Sequence, residues 1–131
     1  MEPVPRQNDM SGDKASFNEQ ETEFLAENFI GRVATASPSG QPHVVPVAYR
    51  FEGRTIVFGG WNLGKSLKFR NLSANNKVAF VVDEVVSMRP WRVRGVEIRG
   101  LAQTFQSDRN STLVGIIPTQ VRSWGLERWG E

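Results

Sequence analysis

The sequence contains no cysteine and a single histidine, His43, among its 131 residues. The lack of thiols excludes a disulfide framework, a thiolate nucleophile and any cysteine-based zinc site. One imidazole excludes a multi-histidine metal centre. Excess charge is also scarce: 16 Lys and Arg face 14 Asp and Glu, a net charge of +2. That excess is too small to argue for a nucleic-acid partner without a local basic patch. No apolar run approaches the roughly 18–20 residues that a membrane helix needs, and the N-terminus has no hydrophobic signal core. The expectation is a soluble cytoplasmic protein with neither a membrane nor a nucleic acid as partner. What is present is ordinary for a globular chain, 39% hydrophobic and 23% charged residues. A chain of this length can bury one substantial core.

Residues 1–15 are polar, with two prolines and a glycine, and read as a flexible N-terminal arm preceding a single domain over residues 16–131. Ser16 and Glu19 have capping-box spacing, which predicts a helix from there to about Asn28, burying Phe17, Phe24 and Leu25. From Gly31 the pattern changes to strands over 31–36, 42–51 and 54–58. They are joined by the turn Ser37-Pro38-Ser39-Gly40 and the hairpin turn Glu52-Gly53. Connections this short join antiparallel neighbours, because parallel strands need a crossover of a dozen or more residues. Residues 59–64 read as a loop, 65–74 as a short helix and 78–83 as a buried strand. After a loop at 87–91 come a long strand over 93–105 and two short ones over 112–117 and 121–124. Six or seven antiparallel strands with one or two short helices predict a closed or partly closed β-barrel, since closure removes sheet edges.

The segment Gly59-Gly60-Trp61-Asn62-Leu63-Gly64-Lys65-Ser66 spells the nucleotide-binding P-loop pattern G-x-x-x-x-G-K-[ST]. Val78-Ala79-Phe80-Val81-Val82-Asp83-Glu84 could pass for its companion acidic strand. A P-loop requires a parallel sheet of βαβ units, whereas the strands before Gly59 are joined by hairpin-length turns. A P-loop nucleotide-binding protein is therefore the lesser alternative. The physical content of the segment remains. A glycine-rich loop entering a helix N-terminus offers backbone N–H groups and a favourable dipole to an anion. Lys65 and Lys68 fall on one helix face, with Arg70 and Arg54 as candidate neighbours. A phosphate gripped between Gly59 and Asn71 is the expectation.

Four segments then carry a resemblance: Phe29-Ile30-Gly31-Arg32-Val33-Ala34-Thr35, Gly40-Gln41-Pro42-His43-Val44-Val45-Pro46-Val47, Lys68-Phe69-Arg70-Asn71-Leu72, and Arg92-Val93-Arg94-Gly95-Val96-Glu97-Ile98-Arg99-Gly100. A fifth is Pro118-Thr119-Gln120-Val121-Arg122-Ser123-Trp124-Gly125. In this order and spacing, the chain resembles the pyridoxamine-phosphate-oxidase-like split β-barrels, and within them the flavin/deazaflavin oxidoreductases that use coenzyme F-420, an 8-hydroxy-5-deazaflavin. The resemblance implies a homodimer with cofactor at the subunit interface. It assigns phosphate binding to Lys65, Ser66, Lys68 and Asn71. It lays the backbone of Val44, Val45, Pro46 and Val47 against the ring, and puts Gly59 and Gly60 at the end of the next cofactor-lining strand. Trp61 could cover the ring or a small-molecule substrate.

Other residues carry weaker signals. His43 reads as a polar strand residue facing outward beside Gln41, with a proton donor near the ring as the alternative. Asp83-Glu84 reads as a solvated strand terminus rather than a metal ligand pair. Arg92, Arg94 and Arg99 suggest a basic face that could meet an acidic cofactor tail. Hydride transfer is the cofactor's own chemistry, so no indispensable catalytic side chain is expected. The functional expectation is an oxidoreductase moving hydride between F-420 and an electron-poor organic substrate. FMN as cofactor, or a non-catalytic carrier of the same fold, are the alternatives.

Overall fold

The computed structural model describes residues 15–59, 67–106 and 111–127. Eight elements follow one another: helix α1 (Glu19–Glu27), strands β1 (Ile30–Ala36), β2 (Pro42–Glu52) and β3 (Thr55–Phe58), helix α2 (Leu67–Ala74), and strands β4 (Lys77–Met88), β5 (Trp91–Gln106) and β6 (Thr112–Trp124). The strands close into a barrel in the order β1-β2-β3-β6-β5-β4, with every pairing antiparallel. The expected antiparallel barrel with two short helices is what the chain forms. The connection through α2 joins β3 to β4, which are not neighbours and lie in a sheet with no parallel pair. The βαβ unit that a P-loop needs is absent among the described residues.

Alternation sorts the strands into two faces. Val33 on β1, Val47 and Tyr49 on β2, Ile56 and Phe58 on β3, Phe80 and Val82 on β4, Val96 and Ile98 on β5, and Val114, Ile116 and Val121 on β6 fill the interior, all at most 8% exposed. Helix α1 closes one side by burying Phe24 and Leu25. Its cap lies two residues beyond the expected one. Asn18, not Ser16, accepts from the Glu21 N–H at 2.8 Å, and the Glu21 carboxylate accepts from the Asn18 N–H at 2.9 Å. The Glu21 carboxylate also accepts from the Ser123 hydroxyl at 2.6 Å, tying α1 to β6 across the chain. At the other end of α1, two of the carbonyls a helix leaves open are taken up. Asn28 donates to the Phe24 carbonyl at 2.8 Å, and the buried Tyr49 hydroxyl donates to that of Leu25 at 2.7 Å.

Three further boundaries differ from expectation. The strands expected over 112–117 and 121–124 are one strand, β6, because a bulge absorbs the irregularity: Gly100 pairs with Pro118 and Arg99 with Gln120, leaving Thr119 extra. A Cβ on Gly100 would lie 2.2 Å from the Ile117 carbonyl oxygen, so only glycine fits this close backbone approach. Strands β4 and β5 extend through the expected loop to a tight hairpin, with Val86 as a second bulge. Asp83 and Glu84 therefore lie within β4 rather than at its end. They pair with Arg32 at 2.8 Å and with Arg94, respectively. No described helix is long and apolar enough to cross a membrane.

Candidate functional site

Strand β2 is the element around which the candidate site is built. It pairs with β1 over its first part, from Pro42 opposite Ala36 to Ala48 opposite Ile30. Strand β3 is much shorter and pairs only with Tyr49 to Glu52. One backbone edge of residues 42–48 therefore lacks a strand partner among the described residues. The Tyr49 N–H points toward β1, where it donates to the Phe29 carbonyl at 3.0 Å. Since backbone groups alternate in direction along a strand, the N–H and C=O of Val44 and the C=O of Pro46 point the other way, into the open edge. Proline is tolerated at 42 and 46 because no strand partner claims a donor there.

The same alternation divides the four expected ring-lining residues. Val44 and Pro46 are exposed on the outer surface, Val44 at 63%, while Val45 and Val47 point inward and pack on the core. Backbone contact with a planar ligand along this edge is compatible with the arrangement, whereas side-chain contact is open only to Val44 and Pro46.

Gly59 follows β3 directly, and Phe58 pairs with Tyr49, so the chain leaves β3 beside the start of the open edge. A Cβ on Gly59 would come within 2.8 Å of the Leu113 side chain. A small cleft of about 140 Å³ opens here, lined by Ala48, Tyr49, Arg50, Val57, Gly59 and Leu113 among others. Helix α2 then packs against β1 and β2. Gly59 and α2 thus flank the β2 edge at its two ends, Gly59 beside Ala48 and α2 at Thr35, opposite His43. The expected ligands Gly60, Trp61, Lys65 and Ser66 lie outside the described residues. Lys68 lies in the first turn of α2, its side chain likewise outside what is described.

Asn71 is found in a different setting from the one its motif suggested. It is 3% exposed, and its side-chain amide donates to the hydroxyl of Thr35, itself 4% exposed, at 2.9 Å. The amide group that could have met a phosphate is engaged with β1. Thr35 was missed as a residue of interest because a β-branched threonine in an apolar strand reads as a strand former. His43 also differs from expectation. It stands opposite Thr35 on the inward face of β2, and its Nδ1 is enclosed without a hydrogen-bond partner. Arg54 sits in the turn at the far end of β3 from Gly59, about 15 Å along the strand.

The basic face expected on β5 does not form. Arg94 lies over the Phe24 ring at 5.1 Å and pairs with Glu84. Arg99 projects from the opposite face beside Glu97, at 3.6 Å. Among the described residues no group of three or more His, Cys, Asp or Glu could hold a metal ion.

A six-stranded antiparallel barrel that leaves one strand edge open among the described residues, with a short helix packed on the strands beside it, defines a class of small cofactor-holding barrels. Residues 17–124 match the family model for pyridoxamine 5'-phosphate oxidase, and the chain belongs to that family. A 5a,11a-dehydrotetracycline/5a,11a-dehydrooxytetracycline reductase from Streptomyces rimosus is 37% identical over 120 residues, covering 85% of this chain and 84% of the relative. Among solved structures, conserved hypothetical protein Rv2991 from Mycobacterium tuberculosis superposes with a TM-score of 0.73 at 21% identity, covering 89% of this chain and 91% of that one. An F-420 reductase superposes with a TM-score of 0.66 at 22% identity, covering 80% and 98%. The oxidoreductase class expected from the sequence agrees with the family and with the reductase activity named for the S. rimosus relative.

Proposed function

We propose that this protein is an F-420-dependent reductase of an electron-poor carbon–carbon double bond in a small polycyclic substrate, working as a homodimer. The observation that carries the cofactor part is the edge of β2 that is unpaired among the described residues, with Gly59 at one end and α2 at the other. A planar heterocycle with donors and acceptors on its rim fits the N–H and C=O of Val44 and the C=O of Pro46. Lys65, Ser66 and Lys68 are the groups proposed for the phosphate. A reduced deazaflavin held there would supply the hydride, and solvent the proton that completes reduction of the double bond. The protein's residues hold the ring against the strand, keep the phosphate fixed and line the open side with the apolar surface of Val44 and Pro46. The substrate part is supported by the named activity of the 37%-identical relative, whose substrate carries a 5a,11a double bond.

The homodimer is supported by the outer barrel surface. Ile30 (56% exposed), Val44 (63%), Leu101 (39%) and Ile117 (41%) flank small outward residues. The strand registers set Val44 beside Ala34, and Ala34 beside Ala79. An apolar groove of about 560 Å³ runs past Ala34, Ala36, Ala79 and Leu101, with Lys77 and Arg99 at its rim. A second copy would cover this face.

FMN in the same site is the second reading, because hydrogen-bonding groups on a strand edge do not by themselves separate a flavin from a deazaflavin. Fluorescence titration of the purified protein with F-420, FMN and ATP separates the possibilities. F-420 binding tighter than FMN, with no response to ATP, is expected. Tight ATP binding without either flavin-type ligand would overturn the reading.

A further inference from the structure

We propose that Thr35 and Asn71 form a tether that sets the cofactor-phosphate grip of α2, and that Asn71 acts as a positioning residue rather than as a phosphate ligand. The inference rests on the cofactor reading above and deepens it.

Helix α2 is held to the barrel in two physically different ways. Leu72, 6% exposed, and the half-buried Phe69 pack on the core. Apolar packing is non-directional, so it holds the helix down without fixing its rotation. The bond from the Asn71 amide to the Thr35 hydroxyl, 2.9 Å long and closed off from water, is directional. It pins one turn of α2 to the inward face of β1. Lys68 precedes Asn71 by three residues, one turn earlier, so the rotation that the bond fixes also fixes the position of Lys68. The Asn71 amide keeps a second N–H, but at 3% exposure the side chain is enclosed by protein, whereas a direct ligand would face the cofactor.

Two assignments compete for Asn71. A phosphate ligand would make Asn71→Ala cost more than Thr35→Val, because only Asn71 would touch the cofactor. A tether would make the two residues one unit, so removing either would do the same harm and removing both would add little. It would also confine the harm to the phosphate-bearing part of the ligand, because the β2 edge is built by β1 pairing.

The experiment is a double-mutant cycle of Thr35→Val and Asn71→Ala on the full chain. It is read as Kd by fluorescence for F-420 and for the same deazaflavin with its ribityl chain but no phosphate. Each single variant is expected to weaken F-420 binding about tenfold and the phosphate-free ligand less than about twofold, with the double variant no worse than about twofold below the singles. Thr35→Ser keeps the hydroxyl and is expected to restore wild-type affinity. Equal weakening of both ligands, or independent additive losses from the two substitutions, overturns the tether. So does full affinity in Thr35→Val. Failure of the wild type to bind F-420 is seen in its own titration and removes the functional reading on which the tether rests, whereas a binding wild type with an uncoupled pair removes the tether alone.

Discussion

Tyr49 shows how a single polar atom is accommodated in the barrel interior. Its ring is 6% exposed and meets Phe80 edge-on at 5.3 Å, while its hydroxyl closes the end of α1 through the Leu25 carbonyl. Burial disfavours the phenolate and pushes the Tyr49 pKa above its usual range. A pKa raised on folding stabilises the native state at pH values below the unfolded pKa, and that contribution drains away as pH rises toward the folded value. Urea unfolding is therefore expected to show stability falling above about pH 10, the usual phenol pKa. Tyr49→Phe should remove that slope and cost about 1 kcal/mol at neutral pH through the lost hydrogen bond. At the same scale, the strand that carries the candidate site and the glycine that ends its neighbour were readable from residues alone. Gly59 and the strand through Val44 and Pro46 stand where a ligand could reach them. His43 was misread as outward-facing, and the bond of Asn71 to Thr35 went unseen, because one-dimensional spacing does not say which face of an element meets the core. That depends on the register between β1 and β2.

At the scale of elements, the turns were the legible part. Ser37-Pro38-Ser39-Gly40 and Glu52-Gly53 each carry residues whose backbone preferences force a reversal, and Gly40 and Gly53 have φ values of 91° and 65°. A break in β6 was expected over residues 118–120. The strand continues because a bulge at Thr119 takes up the irregularity, and its hydroxyl donates to the Arg99 carbonyl at 3.1 Å. Helix α1 is held by its cap as well as by its apolar face, which buries Phe24 and Leu25 besides Glu21. The Glu21 carboxylate serves the Asn18 N–H and the Ser123 hydroxyl at once. Glu21→Ala is expected to destabilise the protein by about 2–3 kcal/mol in urea titration, more than the ~1 kcal/mol of an ordinary cap loss at Asn18→Ala.

Over the whole molecule, the outer face of β1, β2 and β4 carries the proposal of a second copy. Ala34 and Ala79 are small and outward, so a charged side chain there would leave the barrel intact and meet only the proposed partner. Ala79→Glu is expected to shift light-scattering mass from twice 14.7 kDa to 14.7 kDa. Its urea midpoint extrapolated to low protein concentration should stay close to that of the wild type. A variant that remains at twice the monomer mass would rule this face out as the interface. The N-terminal arm was read as flexible from composition, and it lies outside the described residues.

The two prolines of β2 have a bearing on how the protein behaves before any ligand arrives. An uncovered strand edge is a template on which foreign strands add, the usual first step toward aggregates. Pro42 and Pro46 each take one donor from the row that such a strand would need, and do so along the stretch that β3 leaves bare. The stretch left open among the described residues is therefore a poor docking rail for another polypeptide, while the C=O groups of the same two prolines stay free to meet a small planar molecule.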